Sequence, residues 1–172
     1  MTGLRQILAV SILLLFVCSL QAQQKMFRHE VKEFKRERQE LKVERNGVKR
    51  AEVMTTARYF LGVKHEMGGT SHEGIDCSGL IYMSFKKHGI VVPRTAAQQS
   101  QCGKFVKSKG RLRFGDMIFF HTLAESDQLI NHVGFYLGDK EFIHVSSSRG
   151  CVISRLDEEF WSYAFLFGAR VW

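Results

Sequence analysis

Five apolar runs of six residues each crowd the last third of this 172-residue chain: Asp116–His121, His132–Leu137, Glu141–Ser146, Cys151–Leu156 and Leu166–Val171. They are rich in Val, Ile and Phe and are separated by glycines and short polar turns, which predicts five strands. The residues before them follow a helical period. Val53, Ala57, Phe60 and Leu61 mark one face over 48–61, and Leu80, Ile81, Met83 and Phe85 mark a second over 77–88. Thr95–Gln101, behind Pro93, predicts a short third helix. Helices first and strands afterwards predict an α+β fold, in which helices pack on an antiparallel sheet of about five or six strands. With 45% hydrophobic residues, 24% charged residues and a single proline, the chain is neither disordered nor a low-complexity fibre.

The chain reads as three parts: a signal peptide over 1–22, a basic amphipathic helical arm over 23–50 and one globular domain over 51–172. Arg5 precedes an uncharged, mostly apolar stretch from Ile7 to Leu20, and Ala22 is a suitable residue before a cleavage point. The stretch is short of the ~20 apolar residues that span a bilayer, so export to the periplasm or cell envelope is expected. Leu15-Phe16-Val17 lacks the small residue expected before a lipidated cysteine, which weighs against lipoprotein anchoring through Cys18. Residues 25–50 hold ten Lys/Arg and five Glu, a net of +5, whereas 51–172 hold fourteen Lys/Arg and twelve Asp/Glu, a net of +2. Phe27, Val31, Phe34, Leu41 and Val48 give the arm an apolar stripe, and Gly47 is expected to end or kink its helix. The arm is either a solvated helix that docks by its stripe or a means of approaching an anionic wall or membrane surface. No basic stripe interleaved with aromatic residues supports nucleic-acid binding. The oligomeric state is left open.

The residues that carry chemistry begin at Asp76-Cys77-Ser78-Gly79. Asp76 is a good helix N-cap, which sets Cys77 in the first turn. There the free amides and the helix dipole favour a thiolate and can receive an oxyanion. A nucleophilic thiol needs a base, and the base needs a residue to orient it. His132 and His144 lie on consecutive strands, and the parity of their hairpin decides whether they meet. A two-residue loop pairs His132 with Val145 and sends the imidazoles to opposite faces. A three-residue loop pairs Leu137 with Glu141 and Gly134 with His144, leaving both rings diagonal on one face. Joint action therefore demands an odd loop or a bulge. A Cys/His/His zinc site is the rival reading, without CxxC or HxxxH spacing to support it. No metal or other cofactor is expected.

These segments, with Gly68-Gly69-Thr70-Ser71, Val92-Pro93-Arg94-Thr95, Phe114-Gly115-Asp116-Met117, His132-Val133-Gly134-Phe135-Tyr136 and Phe142-Ile143-His144, resemble in motif order the NlpC-type, papain-like cell-wall peptidases. The resemblance runs from about residue 52 to the C-terminus. It implies a papain-like fold and cleavage of peptidoglycan stem peptides next to D-glutamate or diaminopimelate. It assigns Cys77 as nucleophile, His132 as base and His144 as the third polar residue, with Asp76 and Ser78 helping to form the substrate pocket. Peptidoglycan peptides are the implied partner. Where relatives often carry a tyrosine that lines the active site, this chain has His65, which is expected either to donate a hydrogen bond to the substrate or oxyanion or to mark an altered specificity. Arg94 is expected in an internal ion pair, with Asp116 as the expected partner. Wall amidase or other acyl-transfer chemistry on the same fold, or a non-catalytic wall-binding protein, are the alternatives. Cys102 and Cys151 are either a disulfide pair or two buried thiols.

Overall fold

The structure is a computed structural model that describes residues 21–22, 25–45, 47–122 and 126–172. The expected signal segment, Cys18 included, lies outside the described residues apart from positions 21 and 22. The chain divides into two compact units, Met1–Glu37 and Arg38–Trp172. In the first, α1 is a helix over residues 25–37 that carries a Glu33–Arg36 ion pair at 2.9 Å. It stops ten residues before Gly47. The reason is tertiary: the Arg38 guanidinium donates to the carbonyls of Ser100, Cys102 and Gly103. The Leu41 backbone adds two more bonds, its N–H to Gln101 O at 2.8 Å and its carbonyl from Gly103 N at 2.9 Å. Residues from Arg38 onward thus join the second unit, which begins thirteen residues before the expected boundary at 51.

Arg38 keeps only 4% of its side chain exposed, so its charge is satisfied by those carbonyls. Arg38→Ala is expected to destabilise the 38–172 unit by about 2–3 kcal/mol, the scale of charge-assisted hydrogen bonds lost from a buried site. Urea denaturation of the two proteins measures this. A chain beginning at Val48 should show the same loss relative to one beginning at Arg38.

In the second unit, α2 (Arg50–Tyr59), α3 (Cys77–Lys86) and the one-turn α4 (Ala96–Gln99) precede a six-stranded antiparallel sheet. Its strands are β1 (Lys104–Val106), β2 (Met117–Phe120), β3 (His132–Gly138), β4 (Glu141–Ser146), β5 (Gly150–Arg155) and β6 (Phe165–Arg170), in the order β1-β6-β2-β3-β4-β5. All five expected strands are present within a residue or two. The sequence reading missed β1, a three-residue edge strand too short for a visible period, and α5 (Glu159–Ala164). Helix α3 packs on β3 and β4 and α2 packs on α3, with Phe85 of α3 edge-on to Phe135 at 5.6 Å. A further core cluster joins Ile118, Phe120, Phe142, Leu156, Trp161 and Ala164. There α5 supplies Trp161 and Ala164.

The hairpin that carries both histidines has the register Gly134↔His144, Phe135↔Ile143 and Tyr136↔Phe142, then shifts to Gly138↔Glu141. The pairing of Gly134 with His144 is the one joint action requires, but the device differs from a three-residue loop. Asp139 and Lys140 form a two-residue turn with φ of 47° and 66°, the left-handed pair of a type I′ hairpin. A bulge between Tyr136 and Gly138 then restores the parity. Gly134 completes the arrangement, because a Cβ there would stand 2.6 Å from Ile143 O and 3.1 Å from the His144 Cβ.

Candidate active site

Cys77 is the first residue of α3 and is half-buried. Asp76 caps the helix by accepting from Gly79 N at 2.6 Å. The same carboxylate also accepts from Gly68 N at 2.8 Å, Ser78 Oγ at 2.9 Å, and Arg94 through two N–H groups at 2.9 and 2.7 Å. Arg94 donates as well to Ser78 Oγ at 2.8 Å and Gly69 O at 3.1 Å. Its partner is therefore Asp76, not Asp116, which is held by Arg170 at 2.8 and 2.7 Å. The topology explains the exchange: the Pro93-Arg94 segment passes beside the start of α3, whereas Asp116 enters β2 next to β6, where Arg170 lies. Asp76 and Ser78 are both buried and both engaged with Arg94. Their hydrogen bonds tie the start of α3, on either side of Cys77, to Arg94. Gly79 permits the close packing here, since a Cβ would lie 2.3 Å from Gly69 O.

The Cys77 sulfur is flanked by three backbone N–H groups that favour its ionised form, those of Val133, Ser78 and Cys77 itself. The Val133 amide belongs to the residue after His132, so the thiol sits against the start of β3. His132 Nε2 lies 3.0 Å from His144 Nδ1, and His144 Nε2 lies 3.0 Å from Ser154 Oγ on β5. Trp161 closes over the pair, its ring centroid 5.5 Å from that of His132 and 4.6 Å from that of His144. His144 has no exposed surface.

Electrostatics oppose a free thiolate in the resting site. Burial, followed by the Asp76 carboxylate, pushes the Cys77 thiol up to about 11 despite the surrounding amides. Burial lowers His132 to about 4, and nearby His65 adds to the effect. His144 falls to about 2 through burial, then His132 and Arg149. Burial also opposes the charge on Asp76, but Arg94, Gly79 N–H and Ser78 together hold its carboxyl below the ordinary range. The helix start alone suggested an ionised thiol. The buried surroundings leave the Cys77 thiol and the His132 imidazole both neutral at rest.

The sequence profile of the NlpC/P60 family matches residues 62–170, the stretch that contains α3, both histidines and all six strands. This chain belongs to the NlpC/P60 family. It is 32% identical over 154 residues to the Escherichia coli K12 protein named murein DD-endopeptidase MepS/murein LD-carboxypeptidase, covering 89% of this chain and 72% of that one. It is 38% identical over 93 residues to a gamma-D-glutamyl-L-lysine dipeptidyl-peptidase of Bacillus subtilis, covering 54% of this chain and 31% of that protein. Among solved structures, an NlpC/P60 family protein of Bacillus cereus superposes with a TM-score of 0.65 at 30% identity, over 74% of this chain and 42% of that one.

Within this NlpC/P60 fold, His65 is half-buried, bridges Ile75 through its backbone, and is near enough to His132 to lower its basicity. His121 is buried, and its Nδ1 lies 3.1–3.2 Å from the carbonyls of Leu129 and Gln128. Cys102 and Cys151 are buried free thiols, pushed up by burial to about 11 and about 12. Among the described residues no group of three or more His, Cys, Asp or Glu is placed to hold a metal ion. Sequence reasoning missed Ser154 and Arg149, whose Nη2 donates to Ser154 Oγ at 3.2 Å. The only signal was a serine with apolar neighbours on its N-terminal side in β5.

Proposed function

We propose that this NlpC/P60 protein is an exported cysteine endopeptidase that hydrolyses peptide bonds in peptidoglycan stem peptides. Cys77 is the nucleophile, His132 the general base and then acid, and His144 the residue that orients His132. The observation that carries this reading is the juxtaposition of a helix-start thiol, the His132–Val133 strand start and the 3.0 Å His132–His144 contact. Family membership and relatives named as murein and D-glutamyl peptidases support the substrate class. The uncharged apolar stretch over 7–20 supports export, and the net +5 of residues 25–50 supports an approach to anionic wall or membrane.

Because the resting pair is neutral, the thiol loses its proton as it attacks. His132 takes that proton on the ring nitrogen not bonded to His144 while sulfur adds to the amide carbonyl. The amides at the start of α3 receive the oxyanion. Collapse of the tetrahedral intermediate breaks the C–N bond, and His132 returns the proton to the leaving amine. Water, deprotonated by His132, then releases the acyl group as a carboxylic acid and restores the thiol. The Asp76–Arg94–Ser78 network keeps the sulfur in place. His65, at the position where relatives often have tyrosine, contacts the substrate near the scissile bond.

Mass spectrometry of purified peptidoglycan fragments after digestion tests the proposal, with Cys77→Ala alongside. The expected result is Cys77-dependent appearance of peptides cut beside D-glutamate or diaminopimelate, and a variant at least about 10³-fold slower. Cleavage at the lactyl amide would make the protein an amidase. Binding of intact fragments without cleavage by either protein would make it a wall-binding module.

A further inference from the structure

We infer that Ser154 is a positioning residue for the peptidase reaction, the neutral acceptor that ends the Cys77–His132–His144 chain and is itself held by Arg149. The inference rests on the proposed roles of Cys77 and His132. Its geometry is a continuous line: His132 Nε2 to His144 Nδ1 at 3.0 Å, His144 Nε2 to Ser154 Oγ at 3.0 Å, and Arg149 Nη2 to the same oxygen at 3.2 Å. Ser154 is 4% exposed and His144 is fully buried, so neither has bulk water as a substitute partner.

Proton directions along this line are determined once His132 has taken the thiol proton. An imidazolium has a hydrogen on both nitrogens, so His132 Nε2–H must donate and His144 Nδ1 must accept. Neutral His144 then carries its single ring proton on Nε2, which points at Ser154. A guanidinium can only donate, so Arg149 meets Ser154 Oγ from the other side. Ser154 must accept from both, and a hydroxyl oxygen has the two lone pairs needed.

Residue type matters at this position. Alanine would leave the buried His144 N–H without an acceptor, free to shift its proton to Nδ1 and oppose the His132 donor. A carboxylate would accept too, but it would favour protonation of His144. The proton would then be drawn off His132, where the leaving amine needs it. An uncharged acceptor beside the Arg149 cation keeps His144 neutral and leaves the proton on His132.

Steady-state hydrolysis of a stem-peptide substrate by the full chain tests this, comparing Ser154→Ala, Ser154→Thr, Arg149→Gln and Cys77→Ala. Ser154→Ala should lower kcat by about 10- to 100-fold, the scale of losing a group that orients a catalytic ligand or base. KM should change little, the melting temperature should fall only by the few degrees that one unpaired buried N–H costs, and Ser154→Thr should recover most of both losses. Arg149→Gln should move the acid limb of kcat/KM upward by about half a pH unit, because a cation near the imidazoles is gone. Wild-type kcat in Ser154→Ala, or a loss that tracks melting temperature and is not recovered by threonine, overturns the inference while the catalytic reading stands. An unmoved acid limb in Arg149→Gln removes Arg149 from it. Activity retained by Cys77→Ala would instead overturn the catalytic reading itself.

Discussion

Arg94→Ala is expected to destabilise the domain by about 3 kcal/mol, the low end of the cost of leaving a buried carboxylate without its cation, because Arg94 itself keeps 31% of its side chain exposed. The Asp76 carboxylate is 9% exposed and would lose two N–H donors at 2.9 and 2.7 Å. Ser78 Oγ and Gly69 O would lose theirs as well. Thermal unfolding followed by circular dichroism should show a melting temperature lower by about 10 °C or more. Activity should fall with it, because Asp76 caps the helix that presents Cys77. Arg94→Lys should rescue little, since one ammonium cannot reach both carboxylate oxygens, a hydroxyl and a carbonyl in the geometry of a planar fork. A melting temperature within about 2 °C of wild type in Arg94→Ala would show that the network is not what holds the start of α3.

The second large effect is on stability in acid. His132 and His144 are held neutral in the folded protein, at about 4 and about 2, while in the unfolded chain each binds a proton near 6.5. Between those limits the unfolded state binds more protons than the folded one, so stability falls as pH falls. Their contribution is complete above about 6.5 and is progressively lost below it. At about 1.4 kcal/mol per unit of displacement, the two together should cost a few kcal/mol between pH 6.5 and 4.5. Asp76 adds little in that interval, because even in the unfolded chain its carboxyl binds a proton only at about 3.9, and in the folded protein lower still. Urea midpoints at pH 7 and 4.5 should therefore separate widely for wild type and less for His144→Gln, which retains both hydrogen-bonding functions without a basic site. Equal separation in the two proteins would mean that acid acts elsewhere.

How far each feature was legible follows from the range of the forces behind it. The five strands after Asp116 and the helix at Cys77 are local, periodic patterns with clear turn and cap residues, and they appear where expected. Cys77, His132 and His144 stood out in the sequence because few residue types are suited to acyl transfer. Strand β1 was not, since three residues at a sheet edge carry no period. The end of α1 was misread for another reason. The heptad-like spacing continues past Glu37, but buried carbonyls of residues 100–103 compete for Arg38 and for the Leu41 backbone, and local propensity is weaker than that competition.

By itself the sequence determined that Cys77 opens a helix capped by Asp76, that His132 and His144 occupy neighbouring strands, and that their hairpin must break simple parity if the two are to act together. Each follows from chemistry within a few residues along the chain. Only the tertiary structure decided how that parity is broken, by a bulge beside an Asp139-Lys140 turn. It also decided that Arg94 serves Asp76 while Arg170 serves Asp116, because the choice between two carboxylates depends on which elements meet. The charge state of the site was decided there too. A helix start favours a thiolate, but burial of the thiol and imidazoles costs a separated charge more than the amides return, and burial is a property of the packed whole.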